Sequence, residues 1–238
     1  MLRQIHRLLM CLALLVAGNA WAGNDSLAPL FEKIAAAYGA TPPIAMREAG
    51  NMTSFRKGTG LLLRLYQAPD RFRIVIGYDS GPEVRTMLGT LAWQQDEPAS
   101  EELRGAIMLQ CARIVLPWNL LAAKKTVRDL GTVVDANGKT LQSIEVPINE
   151  AMKLIADVDP ETGRILRSRS IQSVGDGKAL EFTTLYSNFR TEHGRQHALT
   201  EQHYIMGQLI GQSTIEMVDY PPTLPEDAFA LAPEHQGI

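Results

Sequence analysis

Three of the five histidines fall in one short stretch, TEHGRQHALTEQHY at 191–204, beside Glu192 and Glu201. Imidazoles and carboxylates are the commonest zinc ligands and proton-transfer groups, so His193, His197, His203 and Glu201 are the first candidates for chemistry. On a helix His193, His197 and Glu201 would align at i, i+4 and i+8, although Gly194 would interrupt that helix. On a strand the three histidines share parity, but a rise of about 3.3 Å per residue sets His193 and His203 roughly 33 Å apart. Zinc ligands must sit about 2 Å from one centre. The neighbouring runs have strand character, which favours a turn at Glu192–Gln196 followed by an edge strand with solvent-facing histidines. A helix here would restore the metal reading.

The other reactive residue types offer no constellation. Cys111 lies among Met108, Ala112 and Ile114, a setting for a buried small hydrophobe rather than an activated thiolate. No serine stands in a G-x-S-x-G elbow. GDGK and DPETGR are too short for phosphate or calcium loops and suit hairpin turns, and Lys57-Gly58-Thr59-Gly60 lacks the rest of a P-loop. Glu101 and Glu102 open a helix, whereas Glu145, Glu150 and Glu181 show no pair spacing. Arg167 and Arg169 would fit an anion or an exposed strand face. No cofactor is implied, and the chain is expected to be non-enzymatic.

Composition narrows the class. Arg3 and Arg7, the apolar run Leu8–Ala17 and the small residues of Ala20-Trp21-Ala22 form the three parts of a secretory signal peptide, expected at 1–22. The run is too short to span a bilayer, and Leu-Leu-Met before Cys11 is not a lipidation motif. Without the leader the basic residues fall from 23 to 21 against 26 acidic ones, so no basic stripe invites nucleic acid. Cys111 alone remains among the cysteines and leaves no internal disulfide. No further apolar run reaches membrane-spanning length, and residues 23–238 are expected to form one domain.

The elements that would carry such residues follow from periodicity. SLAPLFEKIAAAYGA (26–40) has an apolar helical stripe, with Ser26 as cap and Gly39 as terminator. From there to residue 95 the period is two, and turn sequences divide the runs into an antiparallel meander. In RFRIVIGY, Phe72, Ile74, Ile76 and Tyr78 share one face, while Arg71 and Arg73 share the other. Residues 100–116 are helical, opened by Ser100, Glu101 and Glu102, apolar on more than one side and stopped by Pro117. Strand candidates resume at 125, with a strong hairpin turn at Ala136-Asn137-Gly138. Phe229 and Leu231 are candidate anchors of a proline-rich tail. The fold class is α+β: a curved antiparallel β-sheet of about ten or eleven strands with an apolar helix over it.

Pro69-Asp70-Arg71-Phe72-Arg73, Gly89 to Trp93, Asp159 to Ile165 and Tyr186 to Arg190 follow in an order that resembles the LolA/LolB-like periplasmic lipoprotein-carrier superfamily, the outer-membrane lipoprotein-sorting proteins. The resemblance covers most of the chain after the leader. It implies an open half-barrel with a helical lid, a periplasmic location and an apolar concave face that accepts lipoprotein acyl chains. Leu63, Leu65, Phe72, Ile74, Ile76 and Trp93 are then candidate cavity residues, with Ile107 and Met108 from the lid. Arg64 and Arg73 are the positional candidates for a carrier's arginine, and His197 stands where family members commonly have a proline. Parity does not say which strand face is concave, and a packed core without a cavity fits the same pattern. The expected partner is a lipidated protein or a lipid acyl chain. The other reading is an envelope sensor or interaction domain for a peptide or partner protein.

Overall fold

The computed structural model describes residues 24–150, 152–173 and 179–231. The leader expected at 1–22 lies outside them. A 3₁₀ turn (Asn24–Leu27) precedes helix α1 (Ala28–Tyr38). Then come strands β1 (Ala45–Ser54), β2 (Gly58–Gln67), β3 (Arg71–Tyr78), β4 (Gly81–Leu88), β5 (Leu91–Gln94) and β6 (Glu97–Pro98). Helices α2 (Glu101–Ile114) and α3 (Leu116–Ala122) separate these from β7 (Arg128–Val134), β8 (Thr140–Pro147), β9 (Lys153–Val158) and β10 (Ile165–Ser173). Strands β11 (Ala179–Glu192), β12 (Arg195–Ile205) and β13 (Gln208–Asp219) complete the sheet, and a 3₁₀ turn (Glu226–Phe229) follows.

Among the described residues thirteen strands form one open antiparallel sheet in the order β6-β5-β4-β3-β2-β1-β13-β12-β11-β10-β9-β8-β7. Each half is a meander of sequential neighbours, and the halves join where β1 pairs with β13. The α+β half-barrel expected from the sequence is thus present, with more than the ten or eleven strands counted there. The two-residue β6 is too short to show a period.

Two helix boundaries differ from expectation. Ser26 sits inside the first 3₁₀ turn, and Leu27 occupies the N-cap of α1 without a side-chain bond. Pro29 in the first turn needs no N–H partner there, so the helix starts without a polar cap. Gly39 ends it at a φ of 81°. Ser100 does cap α2, its hydroxyl accepting from Leu103 N–H at 3.3 Å. The helix expected over 100–116 breaks at Val115, and α3 leaves α2 at 79°. Pro117 therefore begins the second helix rather than stopping the first, again in a first turn.

The sheet buries a different set on each face. On the inner face Leu62, Tyr66, Phe72, Ile74 and Ile76 join the buried residues of α1, α2 and α3, together with Ile144, Leu154 and Val158 from the far half. On the outer face Ala45 and Leu65 pack beneath Leu224 and Phe229 of the C-terminal segment. That segment is fixed by Arg73 Nη1, which donates to Ala230 O at 2.6 Å, and by Leu224 N–H, which donates to Gln67 Oε1 at 3.1 Å. Phe229 and Leu231 are both buried. The DPETGR segment is a hairpin turn that docks on α1, where Lys33 Nζ donates to Pro160 O at 2.5 Å. Gly163 there has a φ of 72°, and a Cβ on it would stand 2.4 Å from Lys33 C and O.

Candidate functional site

The inner face carries a buried charged cluster where the two meanders meet. Glu48 on β1 lies opposite Arg64 on β2, and Arg64 Nε approaches Glu48 Oε2 at 2.7 Å. Arg64 Nη1 also reaches Glu201 Oε2 on β12 at 2.9 Å. Three strand spacings of about 4.8 Å would separate β2 from β12 by roughly 14 Å on a flat sheet. Curling the sheet inward brings the side-chain tips together, so this ion pair depends on the half-barrel curvature. His197 Nε2 stands 2.9 Å from Glu48 Oε1. Further along β12, His203 Nε2 pairs with Ser213 Oγ at 2.9 Å and its Nδ1 with Thr184 Oγ1 at 3.3 Å.

Burial alone would raise the Glu48 carboxyl, but Arg64 and His197 beside it overcome that and hold it below the ordinary carboxylate range. Burial would likewise lower Arg64, and Glu201 and Glu48 reverse this, so its guanidinium is raised. His203 has weaker support. Burial dominates, with Arg113 and Arg64 adding to it, and despite Glu201 its imidazole falls to about 4.

The TEHGRQHALTEQHY segment is therefore a tight turn at His193-Gly194 followed by a strand, and the helix needed to align His193, His197 and Glu201 does not form. The expected edge position is wrong. Strand β12 lies between β11 and β13, and its odd-numbered side chains face the interior. His197 and His203 are mostly buried instead of solvent-facing, their side chains 14% and 23% exposed. Among the described residues no group of three or more His, Cys, Asp or Glu is placed to hold a metal ion. Cys111 is buried and its thiol is pushed up to about 12 by that burial. Arg167 and Arg169 both bond to the buried Asp157 across β9 and β10.

A cavity of about 60 Å³ opens beside the cluster, between the α2–α3 corner and strands β1, β11 and β12. Its lining is mixed: Met46, Ile114, Leu116 and Ile165 are apolar, and Glu48, Arg113, His197 and Glu201 are polar. On a scale where one water takes about 10–15 Å³, it holds a few waters and no whole acyl chain. Arg113, from the last turn of α2, donates through Nη2 to Phe182 O at 3.1 Å, while its Nε is buried without an acceptor. Burial, only partly offset by Tyr186 and Glu201, pulls this guanidinium below its ordinary value.

The eight candidate cavity residues separate into groups. Phe72, Ile74, Ile76 and Ile107 are buried together in the inner core, with Met108 packed against it. Leu63 and Leu65 lie on the outer face under the C-terminal segment, and Trp93 is buried apart from both clusters. None of the eight lines the 60 Å³ cavity. Of the two positional arginines, Arg64 joins the charged cluster and Arg73 holds the C-terminal segment. Glu48 and Arg113 were missed. The readable signal was a charged residue inside an apolar strand: Arg64 within LLLRLY, facing Glu48 one strand away.

No family model matches the chain, and no curated protein matches it. Solved structures do. A LolA superfamily protein from Nitrosomonas europaea superposes with a TM-score of 0.52 at 14% identity, over 88% of this chain and 98% of that one. The chain has a LolA-like fold. A DUF1329 family protein from Desulfovibrio piger gives a TM-score of 0.54 at 12% identity, over 87% of this chain and 95% of that one. In this LolA-like fold the bent pair α2–α3 lies over the inner face of the open sheet, with α1 beside it and the charged cluster at its margin.

Proposed function

We propose that the protein is a non-enzymatic periplasmic carrier or chaperone that shields lipoprotein acyl chains or another apolar ligand on the inner face of the half-barrel. The observation that carries this reading is the helical cover. Helices α2 and α3 bring Ile107, Leu109, Leu116 and Leu120 onto an apolar sheet that has free edges. A ligand chain can exchange its own contacts for those of the cover, since each buried methylene contributes about 0.8 kcal/mol. Movement of the α2–α3 corner would then open the path, with Phe72, Ile74, Ile76, Ile107 and Met108 as the surface offered to the chain. Native mass spectrometry of protein recovered from a bacterial periplasm, followed by lipid extraction, should find bound lipid. A fluorescent fatty acid should bind and be displaced by unlabelled lipid. Protein free of lipid that also fails to bind the fluorescent acid would refute the reading.

A second reading is an envelope sensor or interaction domain, and β7 favours it. This edge strand has one neighbour, β8, and nearly every one of its residues is exposed. Such an edge can accept a peptide strand. Co-purification of one envelope protein at fixed ratio, without lipid, would select this alternative.

A further inference from the structure

We propose that the 60 Å³ cavity receives the carboxylate of a long-chain acid, with Arg113 as its ligand and the tail directed under the α2–α3 corner. This rests on the carrier reading and adds the chemical class of the ligand's head.

The two inward arginines are used differently. Arg64 is held by both Glu48 and Glu201, so its charge is answered within the protein. Arg113 lines the cavity with one hydrogen bond, to the neutral carbonyl of Phe182, and a buried Nε that has no acceptor. A guanidinium presents five donors in a planar fork that matches a carboxylate. Glu201 only partly offsets the cost of removing this charge from water, and an entering anion would offset more of it.

The surrounding groups are consistent with this head. Glu48 and Glu201 would repel an anion, but Arg64 bridges the two and His197 stands on the free side of Glu48. Tyr186 also lines the cavity, its hydroxyl 2.9 Å from Ser168 Oγ. The same lining carries Met46, Ile114, Leu116 and Ile165, apolar side chains that would meet the first methylenes. The volume suits a small planar head and not a bulky one. A polar receptor beside an apolar core is the arrangement an amphiphile requires, with the head giving orientation and the tail most of the affinity.

The test uses the full chain and three probes of equal length: an eighteen-carbon fatty acid, its methyl ester and the corresponding alcohol. Binding is read by displacement of a fluorescent probe at neutral pH. The acid should bind at least tenfold more tightly than the ester or the alcohol. Arg113→Gln should abolish that preference while leaving ester and alcohol binding intact, and Arg104→Gln on the exposed face of α2 should keep it. Equal binding of all three by the unaltered protein would overturn the head-group assignment and leave the carrier reading standing. Binding of none would overturn both. Since the unaltered protein alone separates these outcomes, a poorly folding Arg113→Gln would not rescue the proposal.

Discussion

The guanidinium of Arg195 lies 5.3 Å over the indole ring of Trp118, joining the start of β12 to helix α3. The same side chain donates through Nη1 to Tyr38 O at 2.7 Å and Thr41 O at 2.9 Å, and Trp118 Nε1 donates to Gly39 O at 3.0 Å. One arginine thus ties the end of α1 and the body of α3 to the sheet. Charge-assisted hydrogen bonds and a cation–π contact together suggest a loss of about 2–4 kcal/mol for Arg195→Ala. Denaturant unfolding should show that loss. Labelling of Cys111, buried on α2, should accelerate, because the α2–α3 pair that carries it is loosened from the sheet. An unchanged labelling rate would show that Arg195 does not hold the cover down.

The hairpin turn against α1 offers a test of packing. Gly163→Val adds a Cβ where Lys33 C and O stand 2.4 Å away, at a φ of 72° that β-branched residues avoid. Strain and overpacking together should cost about 2–4 kcal/mol. A shift in thermal midpoint of less than a degree would contradict the docking of this turn on α1.

Removing Arg64 should be more damaging than removing an exposed arginine. Arg64→Met leaves Glu48 and Glu201 buried without their shared cation, for which about 3–5 kcal/mol is expected. Adding Glu48→Gln and Glu201→Gln to that variant should recover part of the loss, since the uncompensated charges are then gone. A triple variant no more stable than Arg64→Met would show that shape, and not charge, sets the cost.

His203 gives a pH signature. Its imidazole is lowered from the ordinary 6.5 to about 4, so the unfolded chain binds the proton first as pH falls. The stabilising contribution is complete above pH 6.5 and is lost as the pH drops through about 4, amounting to about 3 kcal/mol. His203→Gln can still bond Ser213 and should flatten the dependence of the urea midpoint between these values. An equally steep slope in the variant would assign the effect to other groups.

The alternation of Phe72, Ile74 and Ile76 and the cap at Ser100 were plain in the sequence because each depends on residues close in the chain. The sheet's ion pair was not. Arg64 and Glu201 are 137 residues apart, and only curvature across intervening strands makes them neighbours. The same limit explains Leu63 and Leu65, which periodicity placed on a strand without saying which face would be the inner one. Parity put His193, His197 and His203 on one face of a strand; His197 and His203 do share the inner face of β12, whereas His193 stands in the turn before it. Their burial followed from β12 being interior to the sheet, and that order is set by β13 returning to β1.

That return has a consequence for biosynthesis. Arg47 and Asp219, which pair across the β1–β13 junction at 2.9 Å, are 172 residues apart. A chain emerging from its N-terminus can lay down β1 to β6 and pair Glu48 with Arg64 early, but their further partners Glu201 and His197 arrive only with β12. Contacts this distant are costly to form and late to appear. The cavity beside this cluster is therefore among the last parts of the molecule to come into existence.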